Sequence, residues 1–424
     1  MNEYEARTLL DRAAAGEAPP SPVDVGLAMQ RGRRTMRNRR LLVVGAAAMA
    51  VLIVIGGGVV GATWLAGSRQ PVPPGGTPTT IPSTPTPSAG FCRVDLPDAW
   101  RQALASGLIK HQPDESLIVK AVMADGGGAF AESFVNGKHT VVALDPAGTS
   151  RRTVMTLSKP DQQVFGAAFD GHWLVLSVTD ETTVDSPWTM YAWDASGAAA
   201  ARRIGQSNQR GPFPYPLVYK GQAFWSQAIS AERSELHRYD LSTATDRVIH
   251  TGTPNYPFQY AEMVVWPEMV VGDASAPATL LAADAATGQP TELPRSTNTY
   301  LAGAQYRNAD ADTFVWSSND LATLEAWHGG DATPTTIIAQ APTGTHVQWP
   351  QVANELVSWD DSMAQFVADF RSGSYAQLTP EAGSVLLKGD AMVVQFAPSE
   401  KSDHPVLSSA LLRPSQLPPL PTCR

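Results

Sequence analysis

Hydrophobic and polar positions change their pattern three times along the 424 residues. Residues 41–66 (LLVVGAAAMAVLIVIGGGVVGATWLA) run 26 positions without a charge. As a helix rising 1.5 Å per residue this run is about 39 Å long, more than the ~30 Å a bilayer core demands. Residues 71–90 (PVPPGGTPTTIPSTPTPSAG) lack any apolar period and hold seven prolines, which predicts an extended polyproline linker. From about 115 to 420 short apolar runs alternate with Gly, Asp, Ser and Pro turns, the mark of many short strands. One helical segment precedes them, Leu96–Gly107. Asp98 is expected there as its N-cap, Trp100 and Leu104 share a face, and Gly107 ends it.

The strands repeat in two registers. In the first, an apolar strand ends in a polar turn at Asp145, Asp194, Asp240, Asp284, His328, Asp369 and Arg413, at intervals of 49, 46, 44, 44, 41 and 44 residues. In the second, an aromatic residue stands ten positions before a Trp: Tyr215/Trp225, Tyr256/Trp266, Tyr306/Trp316 and Trp349/Trp359, with Phe165/Val175 and Leu386/Phe396 as degenerate copies. Each unit therefore reads inner strand, Trp-bearing strand, strand with its Asp turn, outer strand. Four strands in about 45 residues is a β-propeller blade, and seven turns predict seven blades. Residues 117–123 (LIVKAVM) are expected to complete the last blade.

Charge divides the chain. Six arginines lie in residues 31–40, and the next charge beyond the apolar run is Arg69. Basic residues stay on the cytoplasmic side, so the expected layout is a cytoplasmic tail (1–40), a transmembrane helix (41–66), a linker (67–90) and an extracytoplasmic domain (91–424) in the cell membrane. A twin-arginine signal around Arg39–Arg40 is the minor alternative. Gly57 and Gly61 form a GxxxG pair suited to helix packing. Residues 1–40 carry 8 Arg against 5 acids, whereas residues 91–424 carry 22 Lys and Arg against 35 Asp and Glu. So acidic an outer domain argues against nucleic acid as a partner. Cys92 and Cys423, the two cysteines of the chain, bracket that domain. Outside the membrane they are expected to form a disulfide.

Taken together, these residues resemble a single-pass, extracytoplasmic bacterial β-propeller of the TolB-like or WD40-like kind. The resemblance covers roughly 115–420, rests on blade periodicity, and carries over no functional residue. Ala283-Asp284-Ala-Ala-Thr287-Gly288 is similar to the AxDxxTG turn of quinoprotein propellers without their following Trp, and reads as a turn whose Asp accepts backbone N–H groups.

Catalytic chemistry is not legible. The eight histidines show no metal-ligand spacing, and GxSxG, P-loop and dinucleotide motifs are absent. Asn308-Ala-Asp310-Ala-Asp312 lacks the Gly and Glu of a calcium loop. Asp360 and Asp361 point to opposite faces of a strand and make no dyad. No cofactor and no metal are therefore expected. Aromatics crowd the segments leading into the inner strands, which border the channel mouth. Tyr215, Tyr256 and Trp349 keep the register and are expected to pack between blades. Phe213, Phe258, Tyr300 and His346 fall outside it and are the candidate ligand-binding residues. The expected function is a membrane-anchored binding, scaffold or sensing module of the cell envelope. Its partner would be an envelope protein, a peptide or a glycan, with a cytoplasmic partner for residues 1–30 open. The alternative is an envelope hydrolase or lyase acting at the channel mouth.

Overall fold

The computed structural model describes residues 90–423, all within the unit Gly45–Arg424. It omits 114, 160–161, 181–186, 209–214, 231, 270–277, 294–300, 302–303, 329–330, 332, 343–344, 362–363, 381–382 and 397–406. The expected tail, span and linker lie outside the described residues. Among the described residues no helix is long and apolar enough to cross a membrane.

Seven sheets follow one another along the chain, each built on consecutive antiparallel strands. Their inner strands are Ser116–Val122, Gln163–Phe169, Leu217–Tyr219, Phe258–Tyr260, Ala304–Ala309, Gln348–Ala353 and Gly383–Lys388. Each touches the inner strand of the next sheet, and the seventh touches the first, which closes a seven-bladed β-propeller. Both faces of every blade are covered by its neighbours, so the core is a ring of clusters between blades. Trp225, Trp266, Trp316 and Trp359 lie on second strands and are at most 3% exposed. They fill the wedge between sheets with large rigid area. In blades 1 to 6 the polar turns of the other register join third strand to fourth. Carboxylates of Asp145, Asp194, Asp240, Asp284 and Asp369 accept N–H groups two to four residues on, as turn aspartates do.

Closure differs from the expectation. Residues 117–123 do not complete the last blade; they supply the inner strand of the first. The seventh blade has three described strands, and residues 90–110 belt the outside of three blades. The Phe91 N–H donates to Ile337 O on the outer strand of blade 5. Cys92–Val94 adds a fifth, parallel strand to blade 6. The helix Asp98–Ser106 packs on the last strand of blade 7 (Ser408–Leu412), whose edge is then paired by Leu108. That edge would otherwise template aggregation. Pro97, not Asp98, occupies the N-cap position; Asp98 begins the helix and pairs with Arg101. Trp100 is fully buried and its Nε1–H donates to Pro418 O, 2.9 Å away. Cys92 and Cys423 form the expected disulfide, tying belt to C-terminal segment.

Candidate functional site

The inner strands run from a lead-in end, where each begins, to a turn end, where it turns into the second strand. At the turn end a series of contacts links the turns of neighbouring blades. Asp170 Oδ2 accepts the Gly221 N–H at 2.7 Å; Lys220 Nζ pairs with Glu262 Oε2 at 2.6 Å; Ala261 N donates to Asp310 O. Asn354 donates its backbone N–H to Asp310 Oδ2 and its side-chain amide to Gly389 O. Asp390 N then reaches Ala124 O, and Lys388 Nζ reaches Phe169 O. Close approach sets the residue type: at Gly389, with φ +53°, a Cβ would stand 2.6 Å from Ala124 O. Burial lowers the Lys388 ammonium pKa, offset in part by Asp170.

Toward the lead-in end the inner strands stop pairing regularly. Bulges leave Lys120, Phe165, Gln305–Tyr306 and Trp349–Pro350 out of register with the second strands. In blades 3 and 4, Tyr215 and Tyr256 stand two residues before three-residue inner strands. A bulge re-aims the side chain it carries. The result is an aromatic collar drawn from blades 2 to 6. Phe165 lies 5.0 Å from Tyr215, Tyr215 lies 6.1 Å from Tyr256, and Tyr306 lies 4.5 Å from Trp349. These aromatics therefore pack on one another from separate blades as well as between sheets. Burial, then the neighbouring Tyr256 and Tyr306, pushes the Tyr215 phenol far up. Burial raises Tyr306 to about 12, and raises Tyr256 against the opposing pull of Arg307.

Backbone groups released by the bulges must find other partners. Second strands supply them. Ser177 Oγ accepts Gly166 N, Ser317 Oγ accepts Tyr306 N, and Ser226 Oγ donates to Asn255 O of the next blade. Gln395 makes two bonds to Val119 of blade 1, and Glu132 Oε1 accepts Val164 N of blade 2. Glu132, 3% exposed, also lies 2.7 Å from His139 Nε2 and 3.2 Å from Lys120 Nζ. Burial pushes its pKa up, but Lys120 and His139 outweigh that and hold it low.

Of the expected ligand residues, Phe213 and Tyr300 lie outside the described residues. His346 is exposed on the segment leading into blade 6. Phe258 is not at an open surface: it is 7% exposed between blades 4 and 5, 6.0 Å from the Phe314 ring. Its position at the start of an inner strand, rather than before it, turns it into the wedge. Arg307 and the second-strand Ser, Gln and Glu residues escaped notice because they belong to neither sequence register. Among the described residues no three His, Cys, Asp or Glu side chains are grouped to hold a metal ion. Asp310, Glu325 and Asp360 have raised pKa values, each chiefly through its own burial, and stand on turns or strands apart from one another.

No family model matches the chain, and no curated protein matches it. Solved structures do. The β-propeller domain of the trilobed protease from Pyrococcus furiosus is 8% identical, with a TM-score of 0.50 over 72% of this chain and 94% of that one. A prolyl endopeptidase is 14% identical, with a TM-score of 0.49 over 77% of this chain and 50% of that one. YCF48 bound to D1 peptide is 10% identical, with a TM-score of 0.46 over 76% and 99%. The chain spans about half the length of the prolyl endopeptidase and acylaminoacyl peptidase chains it matches. At these identities the likeness is one of fold: the chain folds as a seven-bladed β-propeller.

Proposed function

We propose that this protein is a binding module: a propeller held outside the membrane by the 41–66 span, taking its ligand at the lead-in end of the channel. The observation that carries the reading is the aromatic collar. Three inner strands break their pairing at Phe165, Tyr306 and Trp349, and two more blades place Tyr215 and Tyr256 just before theirs. Phe165, Tyr215, Tyr256 and Trp349 keep part of their surface open. With turns linked to one another at the other end, we read the collar as the floor of a funnel that opens at the lead-in end. Apolar floors with a few polar groups are what ligand sites are made of, whereas acid–base catalysis needs carboxylates with opposed shifts brought together.

A benzophenone amino acid at His346, on the rim, and at the exposed Ser242, on a turn at the opposite end, tests this in cells expressing the full chain. Ultraviolet-dependent adducts on the protein, read by mass, are expected from position 346 and not from 242. Equal yields, or none at 346, would overturn the reading.

A further inference from the structure

Among the described residues several buried charges have an ion-pair partner, and Arg307, beside the collar, does not. Glu115 has Arg151, Glu132 has Lys120 and Asp369 has Arg371. Arg307 is 8% exposed and forms no ion pair among the described residues. Its Nε–H donates to Leu301 O at 3.0 Å, and Tyr256 lies in hydrogen-bond contact with its guanidinium. Beyond these it makes no hydrogen bond to a described residue. The nearest acid across its sheet, Glu325, is screened by Trp316, since Arg307 stands opposite Trp316 and Trp316 opposite Glu325. A buried cation without a partner is costly. It is the more notable in a domain with 22 basic against 35 acidic residues, where carboxylates are plentiful and none among the described residues pairs with it. Lys388, at the turn end, likewise forms no ion pair with a described residue.

We propose that the collar binds an anionic group, the carboxylate or phosphate of a ligand entering the funnel, with the Arg307 guanidinium as its counter-ion and the Tyr256 hydroxyl as a second donor. Arg suits this task because its planar fork meets both oxyanions with paired N–H donors. The inference rests on the reading of the funnel as a binding site and names the chemistry of what it binds.

The test follows the unfolding midpoint of the full-length chain against sodium phosphate, sodium acetate and sodium chloride at matched ionic strength. Phosphate or acetate is expected to raise the midpoint beyond chloride, and the stronger arm assigns the oxyanion. Arg307→Gln is expected to weaken the apparent affinity about tenfold or more, as truncating one partner of a buried charged pair does. Arg307→Lys should fall between, and the exposed Arg203→Gln should leave it unchanged. No response beyond chloride, or an equal response in Arg307→Gln, overturns the inference. Should Arg307→Gln not fold, an anion response unchanged in both Arg307→Lys and Tyr256→Phe overturns it instead. The two readings fail separately. Adducts at position 346 with no anion response leave a channel for neutral ligands, while an Arg307-dependent response without adducts leaves an ion site and no binding module.

Discussion

Removing the clasp is the most informative perturbation of this fold. The Cys92–Cys423 disulfide spans 331 residues and joins the belt to the C-terminal segment, so it encloses every blade. Noncovalent links hold the same closure: three parallel residue pairs between Cys92–Val94 and Ser374–Ala376, the Leu108–Ala410 bridge, Trp100 under Pro418, and Leu420 N on Asp369 Oδ2. These persist in the native state without sulfur. The effect of the crosslink therefore falls on the unfolded chain, whose freedom it restricts. For a loop of that length the chain-entropy relation yields about 6 kcal/mol, comparable with the whole stability of many domains. With m near 3 kcal/mol/M in urea, the Cys92→Ser/Cys423→Ser variant should unfold about 2 M earlier than the oxidised protein. Equilibrium unfolding followed by tryptophan emission measures this. A loss below about 1 kcal/mol would refute the reasoning, as would a variant whose belt alone becomes protease-sensitive while the global midpoint holds. In that case the disulfide would be fastening only a local edge.

Trp100→Ala should cost about 3–5 kcal/mol, because a fully buried indole and its bond to Pro418 are lost together; thermal unfolding reads it. Glu132→Gln should cost a similar amount by leaving Lys120 without its partner. Glu132 titrates lower in the folded than in the unfolded state, so its contribution is present above the unfolded carboxylate range and lost as pH falls through the folded value. Stability measured from neutral to acid pH should therefore fall less steeply in Glu132→Gln. Asp360 has the opposite sign. It is 4% exposed and its Oδ1 has no hydrogen-bond partner; burial, then Asp361, raises its pKa well above the usual range. The folded state keeps a proton the unfolded state has released, so stability declines as pH rises from about 4 through the folded value. Asp360→Asn should remove that decline and be the more stable protein at neutral pH by denaturant midpoint.

Blade number and strand order were legible because a propeller repeats one packing problem seven times. Each wedge asks for a large side chain on the second strand, and each third strand asks for a turn that reverses it. Trp225, Trp266, Trp316 and Trp359 answer the first demand and the aspartates from Asp145 to Asp369 the second, so both leave a period in the chain. Ring closure is solved once, by segments at opposite ends of the domain, and leaves no period; that is why residues 117–123 read equally well as a last or a first strand. The collar was half legible. Tyr215, Tyr256, Tyr306 and Trp349 keep the register because they belong to the repeated unit, yet position alone could not separate a side chain between sheets from one turned toward its counterparts in other blades. The bulge decides, and it arises where a second-strand Ser, Gln or Glu can take the backbone groups it releases. Such residues read as unremarkable polar positions within apolar strands. Arg307 is hidden for a related reason: what distinguishes it is that no acid among the described residues pairs with it. A missing partner is a property of the folded ring, since it depends on which blade faces which, and no stretch of the chain carries it alone.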